Sequence, residues 1–253
     1  MIVSLVKRTS SADELAYIES LLITISDKKH ISPYADLLKN SSAPAQTVAI
    51  NVIASKSASG LFDQVFPFTS NGDAKLKEAA FKSLKRISQE ENVDQLMDLL
   101  YKADSDFEIM ETQKALISAV DGISSEDEKT KPFLAALKSK GQKERIVSIL
   151  PQLGGMNALN AIKDLFEKGS TPDKEAAFDA LVNWKNEDAS IILYNICKTD
   201  KGTFKSKAFD GFVKQVASSK LPDDQKLLHL SNIMPYASSD DQKNNVIKAL
   251  GNV

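Results

Sequence analysis

The sequence predicts an all-α fold, an α-α superhelix of about seven helix pairs plus a final single helix. Three observations predict it. Apolar residues recur at helical spacing along the chain, and period-two runs of β-branched residues are missing. The 10 glycines and 8 prolines are sparse and punctuate the apolar stripes. The stripes also recur at a fixed distance. The ends of the first helices fall near Ser26, Ser57, Ser88, Gly122, Gly154, Lys185, Ser218 and Gly251, about 31 to 34 residues apart.

Each unit divides into two helices. The residue at or just before each marker is apolar: Ile25, Ala54, Ile87, Val120, Leu153, Trp184, Ala217 and Leu250. The second unit is the weakest match. First helices carry stripes such as Leu76, Ala80, Leu84 and Ile87, or Ala176, Ala177, Ala180, Leu181 and Trp184. Second helices follow after short loops, with Val93, Leu96, Met97 and Leu100, then Leu159, Ile162, Leu165 and Phe166, then Ala189, Ile192, Leu193 and Ile196. Ser11 with Glu14, Ser105 with Glu108, Ser125 with Glu128 and Ser239 with Gln242 have capping-box spacing, where serine accepts from a free N–H and the acid or amide reaches back. Pro172 suits the first helical position, because its missing N–H has no helical partner there. Gly122, Gly154 and Gly251 suit left-handed helix stops.

A helix pair of this length cannot bury its apolar face alone, so stacked neighbours must supply the core. Residues 1–253 read as a single helical-repeat domain. Its last helix, 240–251, is half a repeat and is expected to leave an apolar face uncovered. That expectation implies a chain that continues past Val253, or a partner on the last helix.

Composition narrows the function. With 42% hydrophobic residues the chain can bury a substantial core. The 32 basic and 34 acidic residues nearly balance at net −2, which argues against a dedicated nucleic-acid binder. Arginines are confined to Arg8, Arg86 and Arg145, although arginine is the preferred side chain for bidentate phosphate recognition. The single cysteine, Cys197, permits no intrachain disulfide. No apolar run approaches the roughly 20 residues of a membrane span.

Period, alanine-rich first helices and polar turns resemble HEAT and HEAT-like repeats. Tetratricopeptide and ankyrin signatures are absent. The segments ILPQLGGMNALNAIKDLF (149–166), EAAFDALVNWKNEDASIILYNI (175–196), KAFDGFVKQV (207–216) and DDQKNNVIKALGNV (240–253) permit a narrower comparison. They resemble a bacterial HEAT-type region that precedes a C-terminal 3-keto-disaccharide hydrolase (DUF1080) domain in exported proteins. The most suggestive pieces are ALVNW before an acidic turn and GFVK after the next one. The resemblance covers roughly residues 75–253 and implies a helical scaffold in an exported parent protein, hence a periplasmic or cell-surface location. The sandwich domain that carries the hydrolase activity has no counterpart in this sequence.

Chemistry-bearing residues are few. His30, His229 and Cys197 stand far apart, without zinc-ligand spacing. HEAT-like di-iron hydroxylases place glutamate after histidine, whereas here Ile31 and Leu230 follow. Cys197 ends the stripe of a second helix and reads as a small buried hydrophobe. Gly154-Gly155 lacks a phosphate-loop pattern and reads as a helix stop and turn. Glu90-Glu91, Asp223-Asp224 and Asp240-Asp241 sit at helix starts, where the helix dipole favours acids. Two lysine clusters straddle turns: Lys138, Lys140, Lys143 and Arg145, then Lys198, Lys201, Lys205 and Lys207. Trp184, the sole tryptophan, is expected to close a first helix against its own second helix near Ile192 rather than to hold a ligand.

These readings converge on a non-catalytic scaffold or protein-interaction module, not an enzyme, with no catalytic, cofactor or metal site assigned. A protein partner, or an adjacent domain of the same chain, is expected on the concave face of the second helices. Polar positions there include Asp94, Gln95, Asp98, Lys163 and Asp164. A second reading stays open, a HEAT-like nucleic-acid-binding protein or DNA glycosylase-type enzyme. It requires a continuous positive groove.

Overall fold

The computed structural model describes residues 5–9, 11–27, 31–138, 141–200 and 202–253. His30, Lys140 and Lys201 lie outside the described residues. The described chain is helical, with no strand among the described residues. It forms two compact units that divide between Gly122 and Ile123.

The first unit contains α1 (Ala12–Ile25), α2 (Ser32–Lys39), α3 (Ala43–Ser55), α4 (Phe62–Val65), α5 (Ala74–Ile87), α6 (Val93–Lys102) and α7 (Asp106–Ala119). The first helices α1, α3, α5 and α7 pack in sequence, each on the next. The weak second repeat has a physical cause. Its second helix is broken into α4 and two flanking 3-10 turns, Ser59–Leu61 and Phe66–Ser70. Pro67, in the first turn of the latter, lacks the N–H that an uninterrupted helix would use.

The second unit contains α8 (Glu126–Leu137), α9 (Lys143–Val147), α10 (Leu150–Leu153), α11 (Met156–Lys168), α12 (Thr171–Val182), α13 (Ser190–Thr199), α14 (Phe204–Ser218), α15 (Asp223–Ile233) and α16 (Asp240–Leu250). The first helix at α9–α10 is interrupted because Pro151 cannot donate to the carbonyl of Val147. Its core is rich in phenylalanine. Phe178 of α12 meets Phe204 of α14 at 4.6 Å between ring centroids, and Phe166 of α11 meets Phe204 at 5.4 Å.

The helices come in the expected order, but their closest packing is offset. Four second helices pack mainly on the first helix that follows: α2 on α3, α6 on α7, α11 on α12, α13 on α14; α15 instead packs more on α14, which precedes it. Loop length explains this. Turns into a first helix are brief, as at 40–42, 103–105 and 169–170, and short turns make antiparallel neighbours. Gly211 shows the closeness of α13 and α14. A Cβ there would meet Leu193 Cδ1 and Val182 Cγ1 at 3.3 Å, a tight contact, so the glycine of GFVK suits the close approach of these helices.

The marker residues Ile87, Val120, Leu153 and Trp184 are buried. Ile25 is 58% exposed, and Val216 takes the inward position expected of Ala217. The uncovered apolar face expected on the last helix is not there. α16 buries Gln242, Val246 and Ala249, and its outer surface is polar apart from Ile247.

All four predicted capping serines accept from the expected N–H, Ser105 Oγ from Glu108 N at 3.3 Å and Ser239 Oγ from Gln242 N at 3.2 Å among them. The return bond differs. Glu108 and Gln242 accept from Asp104 N and Ser238 N, one residue before the cap. Full boxes form instead at Gln89 with Asn92 and Ser170 with Asp173. Gly154 ends its helix at the expected positive φ, +79°, but its ψ of −154° is not that of a left-handed helix stop; Gly251 is right-handed at φ −73° and Gly122 has no positive φ.

Candidate functional site

The last carbonyls of a helix have no intrahelical partner. In this chain a side chain from the following repeat caps them. Lys56 Nζ donates to Ile23 O at 2.5 Å, and Ser118 Oγ to Lys85 O at 2.7 Å. In the second unit Lys185 Nζ donates to Leu153 O at 2.7 Å. Gln215 Nε2 donates to Leu181 O at 2.7 Å and to Val182 O at 3.3 Å. Donor and first acceptor are 33, 33, 32 and 34 residues apart, so the bonds carry the repeat period.

The densest such contact surrounds Gly154 and Gly155. Lys185 pairs with Glu126 and lies across Gly154, where a Cβ would come within 2.8 Å of its Nζ. Gly155 N-caps α11 at φ +90° without a side chain of its own. Asp127, from the start of α8, supplies that cap by accepting from Asn157 N at 3.1 Å. The double glycine therefore accommodates side chains from α8 and from the loop after α12, which is a structural role.

Trp184 is 3% exposed just beyond α12, and Ile192 is half-buried on α13. The indole Nε1 has no hydrogen-bond partner among the described residues. Cys197 is buried beside Lys205 O, and burial pushes its thiol up to about 11, far from a reactive thiolate. His229 is half-buried and meets Phe212 edge-on at 6.4 Å. The acidic pairs occupy first helical turns, as expected from the helix dipole. Among the described residues no His, Cys, Asp and Glu side chains group as a metal site, and no helix is long and apolar enough to cross a membrane.

The two lysine clusters fall on different elements. Lys198 stands 5.7 Å over the Tyr194 ring, while Lys205 is half-buried and Lys207 exposed on α14. The first cluster contributes Lys138 and Lys143 to an open groove of about 610 Å³ between α8 and α11. Leu134, Leu137 and Leu165, all half-buried, form its floor, and Lys168 completes the rim. Asp94, Gln95, Asp98, Lys163 and Asp164 are exposed on second helices, and Asp164 alone of these lines the groove.

Lys168 was missed by sequence reasoning because it lies 30 residues from Lys138 in a different repeat. Asp127 and Lys185 were missed as inter-repeat caps. Alignment of polar residues at the repeat markers would have exposed Lys56 and Lys185 as equivalent donors.

Stacked first helices and period-spaced capping bonds define a helical-repeat protein. No family model and no curated protein matches this sequence. The fold is similar to an engineered protein of the Northeast Structural Genomics Consortium, with a TM-score of 0.43, 16% identity, and coverage of 99% of this chain and 78% of that one. It is also similar to the complex of CpcE and CpcF of phycocyanin lyase from Nostoc sp. PCC7120, at a TM-score of 0.33 and 14% identity over 99% of this chain and 92% of that one. Another engineered protein of the same consortium gives 0.30 and 13%, covering 88% of this chain and 95% of its own. At these scores the likeness carries nothing about ligand or reaction.

Proposed function

We propose that the chain is a non-catalytic, HEAT-like scaffold or protein-interaction module, with residues 1–253 acting as one helical-repeat domain. The observation that carries this reading is the division of labour between helix faces. Inter-repeat capping occupies the ends of first helices, while the groove between second helices α8 and α11 keeps half-buried leucines open to a partner. The test is to crosslink the protein in its native cells, identify the partner, and reconstitute it with the purified chain. A stoichiometric complex is expected. A stoichiometric metal or organic cofactor, with turnover lost on its removal, would overturn the reading.

The finer context, a helical region of a larger exported carbohydrate-related protein, rests on the four resembling segments alone. Sequencing the surrounding reading frame tests it: an export signal upstream and a β-sandwich downstream are expected, and their absence rejects that context.

A further inference from the structure

The groove between α8 and α11 combines two features that are ordinary singly. Its floor is apolar, with Leu134 and Leu137 one turn apart on α8 and Ala161 and Leu165 one turn apart on α11. Its rim carries the ammonium groups of Lys138, Lys143 and Lys168 against the carboxylate of Asp164. Lys168 donates to Asp164 at 2.7 Å and holds that carboxyl below its ordinary value. Lys143 lies 3.9 Å from Asp173, outside the groove lining. Lys138 makes no ion pair among the described residues. The helix dipole accounts for a lysine at the end of α8 and of α11, but not for their convergence with Lys143 around uncovered leucines. With Asp173 counted beside its ion-pair partner Lys143, three lysines against two aspartates leave the groove one net positive charge, where the chain as a whole is net −2.

We propose that this groove docks an acidic amphipathic helical segment of a protein partner. The inference rests on the interaction-module reading and names the partner's chemistry. Apolar side chains at i and i+3 or i+4 would fill the floor, and flanking aspartate or glutamate would meet the rim. Charge complementarity favours an acidic segment over a neutral one, and the apolar floor favours a peptide over a phosphate backbone.

The experiment is to pan a random peptide library of about twelve residues, a little over three turns, on the full chain. The counter-target is Lys138→Glu/Lys168→Glu, whose sites are both exposed. Lys138→Gln/Lys168→Gln serves as the milder variant if the first melts early. Acidic peptides with apolar residues at i and i+3 or i+4 are expected to enrich. Their synthetic forms should bind the variant about tenfold or more weakly, and bind wild type less well as salt rises. Enriched peptides without acidic bias, or with equal affinity for the variant, overturn the inference and leave the interaction-module reading standing. No enrichment at all counts against both. Tighter binding of a labelled oligothymidine, lost in the same variant, overturns the inference in favour of nucleic acid.

Discussion

Lys185 joins two repeats twice. Its Nζ donates to the carbonyl of Leu153 at 2.7 Å, and its own N–H donates to Pro151 O at 3.1 Å. Lys185→Ala removes the side-chain cap and the Glu126 pair, and is expected to cost about 1–2 kcal/mol in urea unfolding. Gly154→Ala strains a positive φ and presses on the Lys185 stem, for about 1–3 kcal/mol. The two changes should be non-additive, because alanine at 185 removes the clash. Strict additivity would refute the contact.

Trp184 is a packing residue whose indole N–H makes no hydrogen bond among the described residues. Trp184→Ala is expected to cost about 3–5 kcal/mol through the cavity it leaves. Trp184→Phe should cost far less, since it removes the unpartnered donor and keeps a ring. Thermal melting of both variants checks this ordering.

Glu108 is a carboxylate that strengthens the first unit at neutral pH. Burial pushes its pKa up, but Lys77 at 2.7 Å, Asp104 N–H and Ser105 together leave it below the ordinary value. A depressed pKa contributes stability above the unfolded-state value, and that contribution is lost as pH falls through the folded-state value. Glu108→Gln should therefore melt earlier than wild type at pH 7, by less than about 1 kcal/mol because Lys77 is partly exposed. The difference should shrink as pH falls through the folded-state value of Glu108.

Glu19 has the opposite sign. Burial raises its pKa, and the hydrogen bond from Asn51 Nδ2 at 3.0 Å offsets this only in part. A raised pKa favours the protonated folded form, so its contribution is full below the unfolded-state value and lost as pH rises through the folded-state value. Glu19→Gln keeps an acceptor for Asn51 without the charge. It should melt later than wild type at pH 7 and together with it near about pH 3.

The single-domain reading predicts one unfolding transition. Trp184 lies in the second unit and reports on it by fluorescence, while far-ultraviolet dichroism reports on the helices of both. Coincident urea curves are expected. A dichroism transition that precedes the fluorescence one would show two domains.

Helix order was legible because stripes such as Leu76, Ala80, Leu84 and Ile87 state their period locally. So were the first halves of the serine caps, which span three residues. What was hidden depends on distance. The offset pairing follows from turn lengths and from Gly211, whose neighbours Leu193 and Val182 lie in other helices. The groove was hidden for the same reason, since Lys168 and Lys138 belong to different repeats. The last helix was misjudged because half a repeat was equated with an open apolar face. α16 has one apolar side, and α14 and α15 already cover it.

The capping bonds also govern how such a chain can change length. Each acceptor carbonyl belongs to one period and its donor to the next. Duplication of a block that runs from acceptor to donor, such as 23–56 or 85–118, inserts both together, and excision of such a block removes both. Excision of a block that holds only the donor, such as 90–122, leaves the Lys85 carbonyl without its cap. Where a block is cut therefore matters as much as its length.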